Sequence, residues 1–166
     1  MTKILVVYYS LSGHTRQVAE AVAELTGADI EMLQDVKRRS GLFGYIRSAI
    51  EAVRERKPAI RPTEFDPSQY DLVVIGTPVW AGKICAPMRT YLVDTVSDFP
   101  PVAFLCCQGG NGAEKVFRQM SELCFRKPVA TLVVNDRELA SGAHLSRMDS
   151  FVQSLVSSAD NLKLVE

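Results

Sequence analysis

Three short stretches hold residue types whose spacing suits them to chemistry. Ser10-Leu11-Ser12-Gly13-His14-Thr15 gathers hydroxyls and a glycine immediately before a helical pattern. Backbone N–H groups of a tight turn and the free N–H groups of a helix start converge in such a loop, which makes a nest for a phosphate. Ser10, Ser12 and Thr15 add hydroxyl donors, Gly13 lets the backbone approach closely, and His14 and Arg16 bring positive charge without being essential to the nest. The same residues also make an ordinary helix cap, so the other two stretches must carry part of the argument. In Thr77-Pro78-Val79-Trp80-Ala81-Gly82 the chain's only tryptophan follows an apolar run, and its place in a turn there offers a flat surface for stacking or for packing at the sheet edge. Cys107-Gln108-Gly109-Gly110-Asn111-Gly112 can bring backbone amides up to the edge of a planar heterocycle, or serve simply as a flexible turn.

These stretches need a frame that brings them together. Apolar runs at 3–9, 28–33, 71–76, 101–107 and 128–134 alternate with helical patterns, the signature of β-α-β units and a parallel sheet. The first, third and fourth runs are almost uninterrupted, as strands covered on both faces are; the second is broken by Asp29 and Glu31 and reads as an edge. Helical periodicity links Val18, Ala19, Val22 and Ala23, then Met88, Tyr91, Leu92 and Val96, then Val116, Phe117, Met120 and Leu123. A final helix places Leu145, Met148, Phe151, Val152, Leu155 and Val156 on one face, and Pro87 suits a first helical turn. In a parallel sheet the loops after successive strands meet at one edge, so all three chemical stretches converge on one site.

The 166 residues, 47% apolar and 23% charged, fit one domain spanning 1–166. Nineteen basic residues balance nineteen acidic ones, so no global field favours nucleic acid or an anionic membrane. The apolar run Ile4–Tyr9 is too short for a signal core, and no later run reaches transmembrane length. A soluble, cytoplasmic protein without membrane insertion is expected. Cys85, Cys106, Cys107 and Cys124 lack zinc or dithiol spacing, so no metal site is expected and reduced thiols are the default. Strand alternation sends Cys106 and Cys107 to opposite faces, and Cys85 is expected to be the more exposed thiol.

Residues 35–61 stand apart. Leu42, Tyr45, Ile46, Ala49, Ile50 and Val53 mark a helix, and eight basic residues surround it against Asp35, Glu51 and Glu55. The local surplus of five suits a solvated charged face or a docking patch for an anionic partner or a nucleotide phosphate. Other folds of similar outline are set aside by what is missing: no GxxxxGK[ST] of a P-loop nucleotidase, no GxGxxG of a dinucleotide site opening the first helix, no aspartate of a phospho-receiver ending the third strand, and no cysteine of a phosphatase in the first loop.

The pattern Ser10-Leu11-Ser12-Gly13-His14-Thr15 resembles the phosphate loop of the flavodoxin family, and the Trp80 and Gly109-Gly110 loops are similar to that family's two ring-binding loops. The resemblance implies a flavodoxin-like three-layer α/β/α sandwich, its five-stranded parallel sheet in the order 2-1-3-4-5, with FMN at the switch point; flavodoxin is itself a standard example of that rule. It further implies that Ser10, Ser12, Gly13, His14 and Thr15 hold the phosphate. Pro78, Val79, Trp80, Ala81 and Gly82 would flank the ring with Trp80 stacked on it, and Cys107, Gln108, Gly109 and Gly110 would meet its edge.

The expected function is an FMN-dependent oxidoreductase that accepts electrons from NAD(P)H or a partner protein and reduces a small acceptor such as a quinone. The alternatives are a one-electron flavodoxin serving a protein partner and a non-catalytic module on the same fold. Two departures bear on the choice: the chain is neutral where the family's carriers tend to be acidic, and Ala81 stands where they tend to have glycine. A Cβ at that position opposes positive φ. No acid or base side chain is assigned, since hydride transfer depends mainly on positioning. A monomer or dimer is expected.

Overall fold

The computed structural model describes residues 2–163. Five parallel strands, β1 (Ile4–Tyr8), β2 (Asp29–Met32), β3 (Leu72–Trp80), β5 (Val102–Gln108) and β6 (Pro128–Asn135), form a sheet in the order β2-β1-β3-β5-β6. Counting the parallel strands alone, this is the expected order. One addition, β4 (Lys83–Ile84), pairs antiparallel with the end of β3. The helices are α1 (His14–Thr26), α2 (Gly41–Val53), α3 (Ala86–Asp94), α4 (Ala113–Cys124), α5 (Asp136–Ser141) and α6 (Leu145–Lys163).

The near-continuous apolar strands are buried on both faces, and alternate residues feed two cores. Leu5, Val7, Val73, Ile75, Phe104 and Cys106 pack with Met88 and Leu92 of α3 and Val116 and Met120 of α4. Val6, Tyr8, Val74, Leu105 and Cys107 pack on the other side with Val18 and Val22 of α1 and Phe151 and Leu155 of α6. Cys106 and Cys107 therefore do face apart, each as a small apolar filler. The connection after β1 leads outward to β2, while that after β3 leads the opposite way to β5. The reversal opens a crevice above the carboxyl ends of β1 and β3, where ligands of open α/β sheets bind.

Several expectations change at the level of individual residues. The third strand does not end at 76: it runs on through Trp80, because Val79 and Trp80 find partners in Ile84 and Lys83. The turn is the pair Ala81-Gly82, at φ 48° and 70°. Both values are positive, as a two-residue hairpin turn of the I′ kind demands. Cys85, expected to be exposed, is fully buried, with its sulfur 3.1 Å from the Thr77 hydroxyl. It follows the hairpin and immediately precedes α3, whose first seven residues are all buried. On α6, Met148, Phe151 and Leu155 are buried, but Leu145 and Val156, at the edge of the apolar stripe, are exposed.

The α2 helix forms where its periodicity predicts it, and its small residues rather than its large apolar ones face the body. Gly44, Ser48 and Ala52 turn inward, while Leu42, Phe43, Ile46, Ile50 and Val53 point to solvent. Gly44 is required by a close approach: a Cβ there would lie 2.9 Å from the backbone carbon of Arg39.

Candidate functional site

The first loop closes on itself before it offers anything to a ligand. The Ser10 hydroxyl accepts the Gly13 N–H at 3.1 Å, and Ser10 is buried, so this side chain shapes the turn. Gly13, at φ 99°, is the residue before α1 and makes no side-chain cap. The first helical bond runs from Gln17 N–H to the Gly13 carbonyl. The amides of His14, Thr15 and Arg16 thus precede the intrahelical ladder, and the first turn holds no acidic residue. An end of this kind favours an anion. Gly76 lets the helix start sit down on β3: a Cβ at Gly76 would stand 3.1 Å from Tyr8 Cβ and 3.6 Å from Thr15 Cγ2.

Above the crevice lies a cleft of about 340 Å³. Of the fourteen residues expected at the site, Ser12, His14, Thr15, Pro78, Val79, Trp80, Ala81, Cys107, Gln108 and Gly109 line it. Ser10, Gly13, Gly82 and Gly110 stand outside its wall. Ser10 and Gly13 build the turn, and Gly82 completes the hairpin. Gly110 projects no side chain, and a Cβ there would meet nothing within 4 Å. The third loop is braced on the hairpin, since a Cβ on Gly112 would come within 3.2 Å of both Gly82 Cα and Val79 Cγ1.

Five wall residues escaped the sequence reading: Leu11, Tyr45, Ser48, Ala49 and Asp136. Nothing local marks Tyr45, Ser48 and Ala49 as cleft residues, because it is tertiary packing that lays α2 beside the hairpin. Asp136 did carry a signal. Asn135 and Glu138 form a capping box, with Glu138 Oε2 accepting the Asn135 N–H at 3.0 Å, and Asp136 is the first residue inside that helix.

The Asp136 carboxylate changes the electrostatics of the α1 end of the cleft, for it lies 2.9 Å from His14 Nδ1. His14 therefore faces a carboxylate as well as the loop. The Gln108 side chain is engaged within the protein: its oxygen accepts the Ala113 N–H at 3.0 Å and its nitrogen donates to Asn135 Oδ1 at 3.0 Å. That leaves the backbone of Gln108 and Gly109 as the unengaged part of this stretch of the cleft wall. Burial pushes the Cys107 thiol up to about 12, partly offset by its hydrogen bond with Thr15, so it lines the cleft as a neutral group.

The family model described as flavodoxin matches residues 3–139. The chain belongs to the flavodoxin family. Among curated relatives, the NAD(P)H dehydrogenase (quinone) of Cupriavidus metallidurans is 38% identical over 96 residues, covering 55% of this chain and 46% of that protein. The protein of the same name from Geotalea daltonii is 32% identical over 94 residues, covering 54% and 46%. The chain thus spans about half the length of the curated relatives it matches. A Lactobacillus acidophilus flavoprotein solved in complex with FMN superposes with a TM-score of 0.70 at 24% identity, covering 85% of this chain and 98% of that one. A flavoprotein structure from Bacteroides eggerthii gives 0.69 at 18% identity, over 85% and 95%. These likenesses share the fold.

Behind the aromatic wall of the cleft lies a buried network. Trp80 meets Tyr9 edge-on, with centroids 5.5 Å apart, and the Arg39 guanidinium sits over the Trp80 ring. Arg39 is bound by Asp35 at 3.1 Å and Glu51 at 2.5 Å, its side chain wholly shielded from solvent. Arg39 therefore leaves the set of solvated cations in which the sequence placed it. Tyr9 donates to Asp35 at 2.6 Å, and burial followed by that hydrogen bond raises its phenol well above the ordinary range. Burial works against the Glu51 charge, but hydrogen bonds from Arg47 and Arg39 hold its carboxyl below the usual carboxylate range. Lys83 reaches from the hairpin to Glu55 at 2.8 Å, a second tie between the Trp80 turn and the end of α2.

Proposed function

We propose that the cleft binds FMN and that the chain works as an FMN-dependent oxidoreductase, taking electrons from NAD(P)H and delivering them to a small acceptor such as a quinone. The observation that carries this reading is a single cleft with an uncapped, acid-free helix start at one end and Trp80 and Tyr45 along its wall. A cofactor with a phosphate tail and a planar ring matches that combination. Ser12, Thr15 and the first-turn amides of α1 would take the phosphate. Trp80 and Tyr45 would border the ring, and the backbone of Gln108 and Gly109 would meet its polar edge. His14, itself part of that loop and paired with Asp136, would stand between that carboxylate and the phosphate. Bound FMN supplies the redox chemistry, passing electrons singly or in pairs, and the protein supplies orientation and surroundings. The quinone-reductase names of the curated relatives support the donor and acceptor chosen here.

A second reading, one-electron carriage to a protein partner, has one specific observation in its favour. Ala81 already occupies the left-handed region at φ 48°, so its Cβ does not keep the hairpin turn out of the conformation where the family's carriers tend to use glycine.

Anaerobic reduction of the FMN-loaded protein separates the two readings. Direct bleaching by NADH or NADPH in one phase supports the reductase. Two-phase reduction by dithionite with no response to either nicotinamide assigns the chain to one-electron carriage, and failure to retain FMN at all removes both.

A further inference from the structure

We propose that the outer face of α2 is a docking surface for an anionic lipid membrane, on which the helix lies flat without inserting across it. At about 100° per residue, Leu42, Phe43, Ile46, Ile50 and Val53 fall on a single stripe. Every one of these side chains is exposed, Phe43 at 87% and Leu42 at 72%. The helix docks on the body through the small residues Gly44, Ser48 and Ala52, so its large apolar side chains contribute little to the core. Contiguous apolar surface of this kind marks an interaction site.

The charges around the stripe indicate its occupant. Lys37 and Arg38 precede the helix, and Arg54, Arg56 and Lys57 follow it, all exposed and without an ion pair among the described residues. The acidic residues of the segment are already engaged: Asp35 and Glu51 hold Arg39, and Glu55 holds Lys83. An apolar stripe with cations at both ends is the pattern of a helix lying in the interface plane, with phenylalanine and leucine among the acyl chains and lysine and arginine at anionic headgroups. A second copy on the same face would bring its own cations to these cations across a two-fold axis, which charge opposes. The neutral total charge of the chain conceals this local field.

The placement bears on the cleft, because Tyr45 and Ala49 of the same helix line it. A helix lying on the membrane sets this cleft wall beside the lipid, where an apolar acceptor is concentrated. That last step rests on the oxidoreductase reading; the docking itself does not.

Sedimentation of the full chain with vesicles tests the docking without any cofactor. The protein is expected to bind vesicles of equal parts phosphatidylglycerol and phosphatidylcholine, to ignore pure phosphatidylcholine, and to be released by salt. Combined Arg38→Glu, Arg54→Glu and Arg56→Glu substitutions are expected to weaken binding by about tenfold or more. Phe43→Ser with Ile46→Ser is expected to weaken it comparably, and all five changes lie on solvent-facing side chains, so the circular dichroism spectrum should be unaltered. Absence of binding to the anionic vesicles, or binding by either set of variants as tight as that of the parent protein, overturns the proposal. A dimer in sedimentation equilibrium that Phe43→Ser dissolves, without vesicle binding, gives the face to a second copy instead. FMN affinity measured on the same samples reports separately on the cofactor reading.

Discussion

The guanidinium carbon of Arg39 lies 5.3 Å from the centroid of the Trp80 ring. A buried cation thus backs an aromatic wall of the cleft, and the same cation secures α2 through Asp35 and Glu51. Removing one member of a buried charged network leaves its partners uncompensated, which costs more than the net worth of the pair. Arg39→Ala is therefore expected to destabilise the fold by about 3 kcal/mol, read from urea unfolding. Arg39→Lys keeps the charge but loses the planar fork that serves two carboxylates and the ring, and should recover only part of the loss.

The hairpin gives a prediction of opposite sign. Ala81 sits at φ 48°, where an L side chain is strained by about 1–2 kcal/mol. Asparagine tolerates that region and is favoured before glycine in two-residue hairpin turns. Ala81→Asn is expected to raise stability by about 0.5–1 kcal/mol. Ala81→Gly should gain less, because glycine also loosens the unfolded chain. Thermal unfolding of the two variants beside the parent checks the order.

The phosphate loop can be tested by subtraction. Ser12→Ala and Thr15→Val each remove a hydroxyl from the cleft wall while leaving the Ser10–Gly13 turn intact. A hydrogen bond to a charged group contributes about 1.5–3 kcal/mol, so each variant should weaken FMN binding by roughly tenfold or more. Riboflavin, which lacks the phosphate, should bind all three proteins alike. Isothermal titration with both flavins reads the difference, and an equal loss for riboflavin would contradict the assignment.

The thiols set an alkaline limit. Burial pushes Cys85 and Cys107 up to about 12 and Cys106 well above its ordinary value of 9.0. Thiols of the unfolded chain ionise near their ordinary value, so above it the unfolded state has released protons that the folded state still holds. Stability should be unaffected by these groups below pH of about 9 and fall progressively from there to about 12. Unfolding midpoints measured across that window should show the decline, and Cys107→Ala should make it shallower. In neutral buffer, iodoacetamide should label these cysteines only after denaturant is added.

Much of the architecture was legible because burial on both faces leaves its mark on composition. The apolar runs of β1, β3 and β5 show it, and Asp29 and Glu31 correctly mark β2 as an edge. The extension of β3 was not legible, since Val79 and Trp80 become strand only by pairing with the two residues of β4. Periodicity found α2 but could not orient it: a stripe containing Ile46 and Ile50 looks the same whether it faces core or solvent, and Gly44 was the only hint of a close approach. Cys85 was misplaced for a similar reason, because the hairpin that buries it is tertiary. At the site, hydroxyl and glycine spacing pointed to the α1 loop, whereas Tyr45, Ser48 and Ala49 arrive from an element with no motif of its own.

One further consequence follows from Trp80 being the sole tryptophan of the chain. Intrinsic indole emission from this protein originates at a single address, beside a fixed cation and on the rim of the cleft. The molecule carries its own optical probe: a yellow cofactor bound in the cleft as proposed would quench it by energy transfer, and a displacement of α2 that shifts Arg39 would alter its colour.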